Sequence, residues 1–222
     1  MILWLILALG FAVWQVLVLA KGWGKLEYLT KPAVMVCLFG WLYSSTGLQG
    51  LTFWFGLGVL FSLAGDVLLM ISLDRMFLFG LIAFLFAHVA YLFGFQNELR
   101  EVNAWSVLLI VILSVSAVRV MRRIVSAMRA KGQTRLVAPV ILYGVVITAM
   151  LYAAMTTLSN PAWKTGASLL VSAGAFLFYL SDIILAWNKF VSPLKNGRIL
   201  NIAAYHLGQI GLIAGVIGQF GG

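Results

Sequence analysis

Charged side chains are scarce in this chain. Asp, Glu, Lys and Arg together make up 9% of its 222 residues, whereas hydrophobic residues make up 63%. Soluble domains carry about 25% charged and roughly 45–50% apolar residues, and a globule of this size could not cover its surface with so little charge. With a mean hydropathy of +1.06, the composition excludes a soluble enzyme, a DNA-binding domain and a disordered tail. Cysteine is almost absent as well. Cys37 stands alone in an apolar run, so there is neither a disulfide framework nor a thiolate metal cluster. Proline is rare, and Pro32, Pro139, Pro161 and Pro193 fall at expected helix starts or in loops, where a missing N–H costs little. What remains in abundance is hydrocarbon. The fold class is therefore all-α, a polytopic membrane helix bundle forming one transmembrane domain over 1–222.

A spanning helix needs about 20 apolar residues. Breaks at charges and at Gly, Pro, Ser and Asn leave eight runs, at 1–20, 32–46, 51–72, 76–97, 104–121, 136–157, 163–187 and 199–218. The second and third are separated only by the uncharged SSTGLQG turn, but Lys31 to Asp66 is too long for one crossing. The first run lacks a basic leader and carries its positive charges behind it, so it reads as a retained helix, not a signal peptide. Positive charge falls on alternate loops. Those after helices one, three, five and seven hold Lys21, Lys25 and Lys31; Arg75; Arg119, Arg122, Arg123, Arg129, Lys131 and Arg135; and Lys189, Lys195 and Arg198. Only Arg100 and Lys164 fall on the other side. Cytoplasmic loops carry the Lys/Arg excess, which predicts eight transmembrane helices with both termini outside. The net charge of +9 is thus a topology signal and needs no nucleic acid. The basic segment RVMRRIVSAMRAKGQTR reads as a topology determinant on a helix running past the membrane; its other use would be to hold anionic headgroups.

An ionisable side chain at the bilayer centre costs about 2.5–3.5 kcal/mol on insertion scales. Glu27, Asp74, Glu98 and Glu101 sit in loops or at helix ends, where solvation suffices. Asp66 (SLAGDVLLM), Asp182 (FLFYLSDIILAW), His88 and His206 instead fall inside the third, seventh, fourth and eighth helices. From the expected cytoplasmic ends, Asp66, Asp182 and His206 lie roughly 8–11 Å deep and His88 about 18 Å, at 1.5 Å of rise per residue. Four helices placing rare ionisable groups in the same half predict one cavity open to the inner leaflet. Asp66 precedes His88 by 22 residues and Asp182 precedes His206 by 24, a pattern expected of a four-plus-four parallel repeat with its site between the halves. Ser62, Tyr91, Tyr179, Asn201, Tyr205 and Gln209 extend the cluster at helical spacing. For any one of these the ordinary role is a helix–helix hydrogen bond worth about 0.6 kcal/mol, and each histidine is as readily a packing residue. Packing does not account for two buried aspartates with no basic residue on their own helices.

No GxSxG, Cys–His pair, HExxH or phosphate loop is present. Asp66, His88, Asp182 and His206 could ligate zinc as a metal-dependent lipid amidase or esterase, although each candidate stands alone on its helix instead of at i, i+3 or i+4. A proton-coupled transporter with the aspartates as relay is the reading from another class, but the outer halves of the helices offer almost no polar lining. Desolvation and mutual repulsion keep one of two close carboxyls protonated. That is an acid–base pair suited to C–O cleavage through oxocarbenium-like states, and an inner-leaflet opening points to a lipid substrate.

The segments GDVLLM…FLFGLIAFLFAHVAY, SAGAFLFYLSDIILAWNKF, LTKP and YHLGQIGLI, in order and spacing, resemble the YhhN family of lysoplasmalogenases over nearly the whole chain. The resemblance implies a multi-pass protein of the bacterial inner membrane. Its activity would be hydrolysis of the vinyl ether bond of a lysophospholipid from the cytoplasmic leaflet, with no metal or other cofactor. Matched positions are Lys31, Pro32, Gly65, Asp66, His88, Tyr91, Ser181, Asp182, Tyr205 and Gln209; at His206 the family pattern calls for an aromatic residue. In that scheme one of Asp66 and Asp182 donates a proton to the β-carbon and the other steadies the cation and activates water. His88 and Tyr91 orient water or donor, and Lys31 at the mouth meets the phosphate.

Overall fold

Helix α1 (Ile2–Lys21) turns at Gly22 directly into α2 (Gly24–Thr46), and α3 (Thr52–Ile71) returns beside it. Then follow α4 (Phe77–Gly94), α5 (Ala104–Ala130), α6 (Val137–Met155), α7 (Thr165–Ala186) and α8 (Gly197–Phe220). This computed structural model describes residues 2–95 and 103–221. Within them the chain is all-α, and seven helices are long and apolar enough to cross a membrane. Glu98, Arg100, Glu101 and the end of the fourth apolar run lie outside the described residues.

The remaining helix, α2, differs most from the sequence expectation. It begins eight residues before the predicted start at 32, so Lys31 and Pro32 lie inside a helix and not ahead of one. Pro32 therefore removes one amide donor from the helix interior, that to the carbonyl of Tyr28. Hydropathy marks α2 down for Lys25, Glu27 and Lys31, but Glu27, Thr30 and Lys31 are turned inward and buried. Glu27 is not solvated as its loop position suggested. It is buried and receives a charge-assisted hydrogen bond from Arg198 of α8. The helix ends where SSTGLQG was read as a turn, with Gly47, Leu48 and Gly50 all in the left-handed region.

Helix α5 starts on a reciprocal cap between Asn103 and Ser106. Its 27 residues reach about 40 Å, beyond a roughly 30 Å hydrocarbon core, so its last turns carry Arg119, Arg122, Arg123 and Arg129 past the apolar stretch. Its contacts are few, and only Ser106, Leu109, Ile124 and Met128 are buried.

The closest pairing joins α7 to α8, and glycine makes it possible. A Cβ on Gly174 would lie 2.4 Å from the Leu212 nitrogen, and one on Gly208 would lie 2.7 Å from the Phe178 nitrogen. Backbone thus packs on backbone, the device membrane helices use when there is no hydrophobic force between them. Antiparallel alternation brings the start of α2, α4, α6 and α8 and the end of α3, α5 and α7 to one end of the bundle. Most of the Lys and Arg residues collect at this basic end.

Candidate active site

Asp66 lies near the end of α3 and is buried. Gly65 beside it lets the Phe84 ring of α4 come within 2.6 Å of where a Cβ would stand, which leaves the Asp66 carboxyl facing α2 and α8. There Lys31 Nζ reaches Oδ1 at 2.9 Å, and the Tyr205 hydroxyl donates to Oδ2 at 2.7 Å. A buried carboxylate thus has a cation and a hydroxyl, the condition for keeping its charge in a low-dielectric setting.

Asp182, near the end of α7, has different company. Tyr143 of α6 donates a hydrogen bond to its Oδ2. His88 Nε2 of α4 lies 2.9 Å from the Tyr143 hydroxyl and 3.6 Å from the same carboxylate oxygen. The His88 ring is held against Phe178, one turn before Asp182, at 4.7 Å between centroids. No Lys or Arg ion-pairs with Asp182 among the described residues. The His88–Tyr143–Asp182 chain can be oriented in either sense. With Asp182 ionised, Tyr143 donates to it and His88 to Tyr143; with Asp182 protonated, both bonds reverse.

The partners follow a rule. Across helices, Asp66 takes one from the helix before its own (Lys31, α2) and one from α8; Asp182 takes one from the helix before its own (Tyr143, α6) and one from α4, besides the Ser181 hydroxyl of its own helix, which donates to Oδ1 at 3.5 Å.

Both aspartates line one chamber of about 940 Å³ at the basic end. Lys25, Lys31, Lys189 and Arg198 line it along with Glu27, Tyr205 and Asn201. Lys189 belongs to a π-helical turn over Trp187–Val191 and pairs with the exposed Asp74 at 2.8 Å. That cation holds the Asp74 carboxyl below its ordinary range, chiefly through the hydrogen bond. Asp182 also lines a second, apolar cavity of about 520 Å³.

Of the residues the sequence singled out, Lys31, Asp66, Asp182, Tyr205 and Asn201 share the polar chamber. His88 reaches Asp182 from the protein interior, and Tyr179 lines the apolar cavity. Lys31 was expected at the mouth, toward a phosphate; its ammonium is instead on Asp66 and mostly buried. Asp66 consequently does have a basic neighbour, supplied by another helix. Tyr91 was expected beside His88 in orienting water. It donates instead to Gln209 Oε1 at 2.8 Å, and Gln209 Nε2 donates to Ser62 at 3.0 Å, a buried chain joining α4, α8 and α3 one helical turn along α8 from Tyr205. His206 lines neither cavity, and its ring nitrogens have no hydrogen-bond partner among the described residues. Nor do any three His, Cys, Asp or Glu side chains there gather closely enough to hold a metal ion. Tyr143 is the functional candidate that the sequence reading missed. Its helix carries no ionisable residue to draw attention, but it lies six residues from the start of α6, about 9 Å deep and level with Asp182.

The YhhN family model matches residues 26–216, which include every one of these side chains except Lys25. The chain belongs to the YhhN family. Among curated proteins it is similar to human lysoplasmalogenase TMEM86B, with 27% identity over 182 residues, 82% of this chain and 71% of the human protein. The rat protein of that name is 26% identical over 190 residues, 85% of this chain and 71% of the relative. The mouse protein is 32% identical over a shorter stretch of 78 residues, 35% of this chain and 30% of its own length. No solved structure matches the chain. Family membership and seven apolar helices fit an integral multi-pass membrane protein.

Proposed function

We propose that this protein is a lysoplasmalogenase, hydrolysing the vinyl ether bond of a lysoplasmalogen to a fatty aldehyde and glycerophosphoethanolamine or glycerophosphocholine. Support comes from the family and its curated relatives, and above all from two aspartates on one chamber in opposite surroundings. Asp66 faces a cation; Asp182 faces a neutral hydroxyl and an imidazole. Such divergence is how one site supplies both an acid and a base.

In this mechanism Asp182 begins protonated and gives its proton to the β-carbon of the vinyl ether, leaving an oxocarbenium ion. The new Asp182 carboxylate and the standing Asp66 carboxylate stabilise that cation. Water adds to the carbon bonded to oxygen, and its proton returns to the carboxylate pair, which restores protonated Asp182 through the chamber. The hemiacetal then collapses, its hydroxyl proton passing to the departing glycerol oxygen, so that one water is consumed and no net proton. The His88–Tyr143 pair orients the Asp182 carboxyl and buffers its proton. Positioned proton transfer of this kind contributes about 10²–10⁴-fold to rate.

The same reading makes α2 the eighth crossing. Tight turns at both its ends oblige it to run antiparallel to α1 and α3, and its 23 residues span about 34 Å. Both termini then lie outside, and the chamber opens to the cytoplasmic leaflet of a bacterial inner membrane, where the Lys/Arg excess belongs. The matched choice of partners around the two aspartates favours a four-plus-four repeat. Aldehyde release from lysoplasmalogen by detergent-purified protein tests the proposal. Activity that vanishes in Asp182→Asn and Asp66→Asn, with folding intact, is expected; turnover retained in either variant refutes the pair mechanism.

A further inference from the structure

We infer that the apolar cavity between α4, α5, α6 and α7 is the seat of the substrate's single hydrocarbon chain, with the phosphate-bearing headgroup in the polar chamber, so that the bond to be cleaved lies across Asp182. The inference rests on the proposed lysophospholipid substrate and adds its orientation. The two cavities have Leu69, Phe84, Asp182 and Leu185 in common, so they adjoin at the acid. Their linings are opposite in character. The apolar one contains a single carboxylate, Asp182, and no Lys, Arg or His among the described residues. The polar one contains four cations and three carboxylates. Lys25, on its rim, makes no ion pair among the described residues and is free to meet a phosphate.

The apolar cavity exists because α5 leans on its neighbours at few points. Ile110 and Val118 on α5 and Ile141 and Val145 on α6 line it and are exposed, 40% or more, so it opens sideways where lipid would lie. At bilayer depth such a space holds hydrocarbon, since neither water nor an unsatisfied polar group is stable there. From Tyr143 it continues along α6 to Tyr152, about 14 Å. One slot of this length suits an amphiphile with one chain. A chain moving from lipid to this slot gains little hydrophobic free energy; what the slot supplies is register, setting where the vinyl ether falls relative to Asp182.

A lysophosphatidylcholine with a diazirine at its chain terminus reads the chain's location without any need for turnover. In purified protein, label is expected on α5 and α6 within the cavity lining, and label confined to α1, α2 or α8 overturns the inference. Ala117→Trp and Gly144→Leu fill the slot; a Cβ at Gly144 meets only the mobile terminal methyl of Met121. These variants should lower hexadecenyl relative to octenyl lysoplasmalogen turnover at least about tenfold, and an unchanged ratio counts against the slot. Cavity labelling without any aldehyde release would retain the chain site and remove the lysoplasmalogenase reading. Aldehyde release with labelling elsewhere would do the reverse.

Discussion

Replacing Lys31 by Met deletes the countercharge of a carboxylate that is 1% exposed. The ammonium is 2.9 Å from Asp66 Oδ1, and among the described residues the one other polar contact on that carboxyl is the Tyr205 hydroxyl. Breaking a buried ion pair by removing one partner costs about 3–5 kcal/mol, because the remaining charge is stranded. For a chain of this length each kcal/mol moves Tm by about 2–4 °C, so Lys31→Met should lower it by roughly 6–20 °C. Adding Asp66→Asn removes the stranded charge while keeping an acceptor for Tyr205, and should recover most of the loss. Thermal unfolding in detergent, followed by the fluorescence of the eight tryptophans, measures all four corners of this double-mutant cycle. Additive shifts, or a double variant no more stable than Lys31→Met, would show that the pair does not act as a unit. Both outcomes are separable from catalysis, since the cycle reads stability alone.

Other expectations follow from the same geometry. Tyr143→Phe leaves Asp182 without its hydroxyl and should reduce kcat by about 10²-fold with little change in KM, which a steady-state assay of aldehyde release decides. Tyr91→Phe, which leaves Lys31 and Tyr205 in place on Asp66, should cost about 0.6 kcal/mol of stability and lower kcat far less than Tyr143→Phe. Gly174→Val drives a side chain into the backbone of α8 and should destabilise by several kcal/mol, a shift visible in Tm and in loss of folded yield. Lys189 depresses the Asp74 carboxyl, so the pair's stabilisation is present above the ordinary carboxylate value of 3.8 and is lost as pH falls below it. Tm measured from neutral to acid pH should lose that slope in Asp74→Asn.

The residues visible from sequence share one property: each is unusual within its own helix. Asp66 and Asp182 are conspicuous because hydrocarbon surrounds them along the chain, and the cost of burying charge makes that local contrast meaningful. Helix number, the position of both aspartates near the ends of their helices and the basic end follow from the same one-dimensional count of apolar runs and positive charges. Hydropathy failed at the start of α2 because it averages over directions, whereas Glu27 and Lys31 face a polar interior and not lipid.

What tertiary structure decided is which side chains meet. Glu27 finds Arg198 across 171 positions, Tyr205 finds Asp66 across 139 and Tyr143 finds Asp182 across 39. Such pairings depend on how each helix is rotated about its axis, and that rotation is set by close contacts such as Gly174 on Gly208. The apolar slot beside α5 is still further from the sequence, since it arises from a gap between helices. Composition and charge placement alone determined a membrane bundle with two intrahelical aspartates near its basic end, of which Asp66 is buried and Asp182 half-buried. The different surroundings of those aspartates, one beside a cation and one beside a tyrosine and a histidine, came from packing, because only packing brings residues from three helices together at each of them.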